Sequence, residues 1–324
     1  MKALLCRTFG LPATLEVAEV PQPQLQADEV LIKVSFCGVN FPDTLLIQNK
    51  YQYKPALPFS PGGEVAGTVV AVGDQVTSVQ PGTRVVALCG WGGFAHYAAV
   101  NSSRVFALPP AIDFQNAATT FYNFATAYHA LKDRAQLKPG ETLLVLGAAG
   151  GVGLATVVLG KLMGATVIAA ASTHDKLALC RKKGADFLIN YSTHDLKEAI
   201  KEITKGGVDV VFDPVGGLYA EAALRTLTWR GRHLVVGFSS GTVPAFAANV
   251  ALLKGASIVG VFYSGFAQKE PARNAENMHE LMQWSAAGKI NQAIYKTYSL
   301  EQAAQALQDL IDRKVLGKAV VRLD

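Results

Sequence analysis

The chain has 324 residues, 50% of them hydrophobic and 17% charged, with 30 glycines and a formal net charge of +5. That balance excludes a disordered chain, and the lack of a Gly-X-Y period excludes a collagen-like one. Basic residues are scattered rather than clustered, which argues against nucleic acid as the main partner, and the length suits about two domains with cores of their own.

At the N-terminus, Met1-Lys-Ala-Leu-Leu-Cys6 is followed at once by Arg7 and lacks the apolar stretch of a secretory leader. Residues up to about 110 read as short strands, among them Val30 to Phe36, Val65 to Val72 and Arg84 to Leu88. Turns at Pro61-Gly62-Gly63, Gly73-Asp74 and Pro81-Gly82 separate them. Asp113 to Leu137 reads as one long helix, stopped by Lys138-Pro139-Gly140. Strands are then expected at Thr142–Leu146, Thr166–Ala171, Phe187–Ile189, Val208–Phe212 and His233–Val236, interleaved with amphipathic helices. Leu154, Val157, Val158 and Leu162 define the buried face of the first of these helices. Interleaving of this kind demands crossovers, hence a doubly wound parallel sheet. Ser257 to Tyr263 reads as a last edge strand, and the alternation fades beyond about Gly265. The uncharged stretch from Thr142 to Gly160 is broken by glycines and reads as strand, turn and helix rather than as a membrane span. Cys6, Cys37, Cys89 and Cys180 are far apart and form no CxxC, which fits reduced thiols and a cytoplasmic setting.

The strongest local signal is Leu143-Leu-Val-Leu-Gly-Ala-Ala-Gly-Gly-Val-Gly153, with Gly150 and Gly153 as the second and third glycines of GxGxxG and Ala148 at the first. Backbone N–H groups at a helix start bind a pyrophosphate only where no Cβ blocks the approach, which assigns Ala149, Gly150, Gly151 and Val152 to a dinucleotide. The second strand selects the nucleotide. It ends Ala170-Ala171-Ser172-Thr173, without the carboxylate that would accept from an NAD ribose, and Lys176 follows. Ser172, Lys176 and, after the next strand, Tyr191 therefore mark an NADPH site, with Asp175 expected to face solvent.

Five motifs spread along the chain resemble the medium-chain dehydrogenase/reductase superfamily, specifically its zinc-free, NADPH-dependent quinone oxidoreductase (zeta-crystallin-like) branch. They are Cys37-Gly-Val-Asn-Phe-Pro-Asp43, Pro61-Gly-Gly-Glu-Val-Ala-Gly67, Gly92-Gly-Phe-Ala-His-Tyr97, the glycine turn, and Asp213-Pro-Val-Gly-Gly217. The resemblance implies an α/β protein with a GroES-like β-rich catalytic domain (1–124 and 265–324) and an inserted Rossmann NADP-binding domain (125–264). Zinc-dependent relatives carry a cysteine where this chain has Asn40, and Gly-His-Glu where it has Gly62-Gly63-Glu64; a chance set of Cys37, Glu64 and His96 is the only substitute in view. Without a Lewis acid, an apolar electrophilic acceptor is expected, either a quinone or an alkene conjugated to a carbonyl. The resemblance assigns Asn40 and Tyr51 to catalysis and places Asn40, Asn123, Thr126, Phe238, Phe262 and Lys318 at the cofactor. A family tyrosine is replaced by Leu45, and Asp43 reads as a structural cap. The family also implies a homodimer joined through the 257–263 edge.

Two other readings compete. Gly237-Phe-Ser-Ser-Gly241 fits the GxSxG of serine hydrolases but is followed by Thr242-Val-Pro244 rather than by a helix start. A non-catalytic NADPH-binding protein, either a redox sensor or a crystallin-like one, would share the nucleotide site and differ only in turnover.

Overall fold

A computed structural model describes residues 1–324. The chain forms two units, one made of 1–122 with 278–324 and the other of 123–277.

Strand Glu29–Gly38 is the spine of the first unit. Strand Glu64–Val72 pairs antiparallel along its length, while the other edge is shared. Tyr97–Asn101 takes its first half and Lys318–Arg322 its last three residues. Register shifts at Leu31/Ile32 and Val34/Phe36 bend the spine, as bulges do. The sheet order is Ile294–Tyr298, Lys318–Arg322, Glu29–Gly38, Glu64–Val72, Arg84–Ala87, Val105–Ala107. Strands Glu64–Val72, Arg84–Ala87 and Lys318–Arg322 carry runs of buried residues, and Val30, Ile32, Val34, Val65, Val69 and Leu307 belong to the unit's core. The register sets Gly38 opposite Glu64 on one side and Val320 on the other. One sheet end thereby collects Gly38, Glu64 and the start of the C-terminal strand.

In the second unit six strands run parallel in the order Phe187–Asn190, Thr166–Ala171, Thr142–Val145, Val208–Asp213, Leu227–Val235, Ser257–Gly260. The order reverses beside Thr142–Val145, and ligands bind such sheets outside the carboxyl ends at that reversal. The architecture is α/β, a GroES-like β-rich unit with a Rossmann doubly wound sheet.

Several expected boundaries shift. The strand expected at His233 begins at Leu227, and its polar start is interrupted at Arg230, which has φ 63°, before pairing resumes at Arg232. The edge strand stops at Gly260 because Tyr263 already begins a helix, Tyr263–Lys269. The long helix is α over Phe114–Tyr128 and π over His129–Arg134. Residues 265–277 stay with the second unit. The His129 ring stacks on Phe266 at 3.8 Å, Tyr263 Oη donates to Asn274 at 2.9 Å, and Arg273 pairs with Asp133 at 3.1 Å. Thr142–Val145 and helix Gly151–Leu162 divide the uncharged stretch, and no helix is long and apolar enough to cross a membrane.

Candidate active site and nucleotide site

Asn40, Tyr51 and Lys318 lie in the sheet unit, and the other predicted residues lie in the nucleotide unit. In the sheet unit, Asn40 is the N-cap of the short helix Phe41–Leu46. Asp43 ties that helix down. Its Oδ2 accepts from Asn40 N at 2.7 Å and its Oδ1 from Gly62 N at 3.1 Å, so it caps, as its position suggests. Burial pushes its carboxyl up to about 7, against the two N–H donors and the Lys318 charge that favour the anion.

Beside this cap lies a buried ion pair. Lys318 Nζ donates to Glu64 Oε2 at 3.0 Å and to Asn40 Oδ1, and both charged residues are at most 2% exposed. Asn40 Nδ2 donates to Gly38 O and to Glu64 Oε2, each at 3.3 Å. Glu64 Oε1 accepts from Tyr122 N, inside helix Phe114–Tyr128, at 2.7 Å. A Cβ on Gly38 would stand 2.0 Å from Ala118 O and 2.7 Å from Glu64 Oε2, so only glycine fits beneath the cluster. Asn40 and Lys318 are thus brought together. Tyr51 is half-buried against the unit's core with its ring 6.1 Å from that of Tyr53.

Sequence reading left Glu64 out of the site except as a chance metal ligand. A carboxylate opening the apolar run Glu64-Val-Ala-Gly-Thr-Val-Val and a lysine opening Lys318-Ala-Val-Val were the available signal, since buried charges need partners.

In the nucleotide unit the glycine turn is sterically specified. Gly147, with φ 56°, makes the tight turn, which is why Ala148 is tolerated where the first motif glycine stands. A Cβ on Gly153 would meet Gly147 O at 2.4 Å, so the helix packs directly on the turn. One on Gly150 would meet only Gly147 O at 3.4 Å, which leaves open the approach a pyrophosphate needs. Ala149 is buried, and Gly151 and Val152 open the helix. Asn123 is buried close to Gly151, and its Nδ2 has no hydrogen-bond partner within the chain. Those features fit a dinucleotide.

At the end of strand Thr166–Ala171, Lys176 Nζ donates to Ser172 Oγ at 3.2 Å, and Thr173 Oγ1 caps helix His174–Lys182. Asp175 is exposed on that helix's first turn. Tyr191 lies farther along, its ring 4.4 Å from Tyr219. Asp213 Oδ1 accepts from Val215 N and Gly216 N at 2.8 Å each, which shapes the loop against which Phe238 packs. Phe238 and Phe262 are both exposed, and Thr126 is half-buried on the Phe114–Tyr128 helix. Ser239 sits in a loop, the next helix begins only at Ala248, and His279 is bonded to Gln283, so no nucleophile elbow forms.

No group of three or more His, Cys, Asp or Glu side chains is placed to hold a metal ion. Of the chance set Cys37, Glu64 and His96, Glu64 is already paired with the Lys318 ammonium, and burial pushes the Cys37 thiol up and the Cys89 thiol up to about 12.

A GroES-like sheet unit joined to a Rossmann sheet with a phosphate turn defines a dehydrogenase/reductase. The zinc-binding dehydrogenase family matches residues 151–284, and the GroES-like domain of alcohol dehydrogenases matches 26–110. A quinone oxidoreductase-like protein 2 from Bos taurus is 37% identical over 99% of this chain and 92% of its own length. A quinone oxidoreductase from Homo sapiens is 32% identical over 100% and 98%. The structure of Escherichia coli quinone oxidoreductase complexed with NADPH superposes with a TM-score of 0.94 at 30% identity, covering 99% of this chain and 100% of that one. The chain belongs to the medium-chain dehydrogenase/reductase superfamily, in its quinone oxidoreductase branch.

Proposed function

We propose that the protein is an NADPH-dependent, zinc-independent reductase of quinones or of alkenes conjugated to a carbonyl. The observation that carries this reading is the buried Lys318–Asn40–Glu64 cluster, in which an ammonium ion is held between an amide oxygen and a carboxylate. Alcohol oxidation needs a group that stabilises its developing alkoxide, as zinc does, whereas a quinone or enone is electrophilic already. Bound NADPH supplies a hydride, and one proton from solvent completes the two-electron reduction of a quinone to its hydroquinone.

In this reading the N–H groups of Ala149, Gly150, Gly151 and Val152 bind the pyrophosphate, and Ser172 with Lys176 binds the 2′-phosphate. Asn40, Asn123, Thr126 and Lys318 serve the nicotinamide end, Tyr191, Phe238 and Phe262 border the nucleotide, and Tyr51 faces an apolar acceptor. The NADPH complex of the Escherichia coli relative supports the cofactor. Four free cysteines support a reducing, cytoplasmic setting. The unpaired edge of strand Ser257–Gly260 supports a two-fold dimer.

NADPH oxidation against ortho- and para-quinones, enones and enoyl thioesters tests the reading, together with elemental analysis for zinc. Turnover with at least one acceptor and no stoichiometric zinc is expected. Tight NADPH binding without turnover on any acceptor would make the protein a sensor, and stoichiometric zinc would make it an alcohol dehydrogenase.

A further inference from the structure

An ammonium group has three hydrogens to donate, and Lys318 spends two of them inside the chain, on Asn40 Oδ1 and Glu64 Oε2. A lysine buried as deeply as Lys318, which is 2% exposed, normally satisfies all three, so the third is left for a ligand oxygen. Glu64 decides where that hydrogen points. Its Oε2 receives both Lys318 Nζ and Asn40 Nδ2, while its Oε1 is fixed by the backbone N–H of Tyr122. The carboxylate is therefore anchored from one side and clamps two side chains on the other. Gly38 beneath leaves no slack, since a Cβ there would press on Glu64 Oε2 and, at 3.1 Å, on Lys318 Cε.

We propose that Glu64 is a positioning residue for the reaction: it holds the Lys318 ammonium and the Asn40 amide so that the third ammonium hydrogen meets the acceptor oxygen that gains charge during reduction. The inference rests on the quinone-reductase reading above. Glu64 acts through Lys318 and needs no contact with substrate. A fixed cation of this kind contributes in the transition state rather than in ground-state binding, so its loss appears in kcat and not in KM.

Glu64→Gln keeps the shape and the Tyr122 contact but removes the charge. We expect its kcat with a saturating quinone to fall about 100-fold, with KM for the quinone within about 3-fold. In a Lys318→Met background the same substitution is expected to change kcat less than about 3-fold, because a residue that acts through Lys318 has nothing left to position. The double variant replaces both charges at once, so it keeps the fold even where a single variant is too destabilised to assay. Asparagine-labelled protein without cofactor gives a readout independent of turnover. The Asn40 side-chain amide signal, assigned by its loss in Asn40→Ser, should shift in Glu64→Gln. Unchanged kcat in Glu64→Gln, equal losses with and without Lys318, or an unmoved Asn40 signal would each overturn the proposal. If the wild-type chain reduced no acceptor while the Asn40 signal still shifted, the assigned activity would fail and the clamp itself would stand.

Discussion

Lys318 and Glu64 form a buried pair whose individual members are costly to leave alone. Removing one partner of such a pair destabilises by about 3–5 kcal/mol, whereas replacing both by apolar groups is often neutral. Asn40 was a candidate from its motif, but the pair that holds it was not legible, because Glu64 and Lys318 are separated by 254 positions and no local window contains both. Lys176 is the opposite case. It was a candidate from its place five residues past the strand end at Ala171, and the structure sets its ammonium against the Ser172 hydroxyl. Lys176→Ala should lower the ratio of NADPH to NADH affinity about 10–100-fold, the range of one charge-assisted contact. An unchanged ratio in fluorescence titrations would remove Lys176 from the 2′-phosphate site.

Among the elements, the glycine turn separates what the fold needs from what a ligand needs. Gly153→Ala drives a Cβ into backbone at 2.4 Å and should cost about 1–3 kcal/mol, seen as a lower urea midpoint without cofactor. Gly150 has an ordinary φ of −75° and an open Cβ direction. Gly150→Ala should leave that midpoint in place while weakening NADPH binding at least about 10-fold, or about 1.4 kcal/mol. Equal behaviour of the two variants would contradict the division. Strands and turns of this unit were legible because apolar periodicity reports burial directly. The π segment His129–Arg134 was not, since its cause is tertiary. The wider turn seats His129 flat on Phe266 and lets Asp133 take bonds from His129, Asn277 and Arg273. The polar opening of strand Leu227–Val235 was missed for a similar reason, as Leu227 pairs with Val208 before the positive-φ Arg230 interrupts the ladder.

For the whole molecule, the edge strand is the open question of assembly. Ile258 is 42% exposed on a strand with a neighbour on one side only, and Trp229, 68% exposed, lies over Gly255 just before it. Pairing of two copies along this edge would complete the backbone hydrogen bonds and cover these side chains. Ile258→Lys should then convert a dimer to a monomer in light scattering; a wild-type chain that is monomeric at every concentration would exclude the dimer. The Glu64–Lys318 pair bears as well on how the molecule is made. On the ribosome, Glu64 emerges 254 residues before the lysine that neutralises it, with the whole nucleotide unit synthesised in between. Domains tend to fold as units during synthesis, and a folded insert brings the ends of the intervening chain together at little entropic cost. Until the last strand arrives, the sheet unit lacks the ammonium that pairs with Glu64.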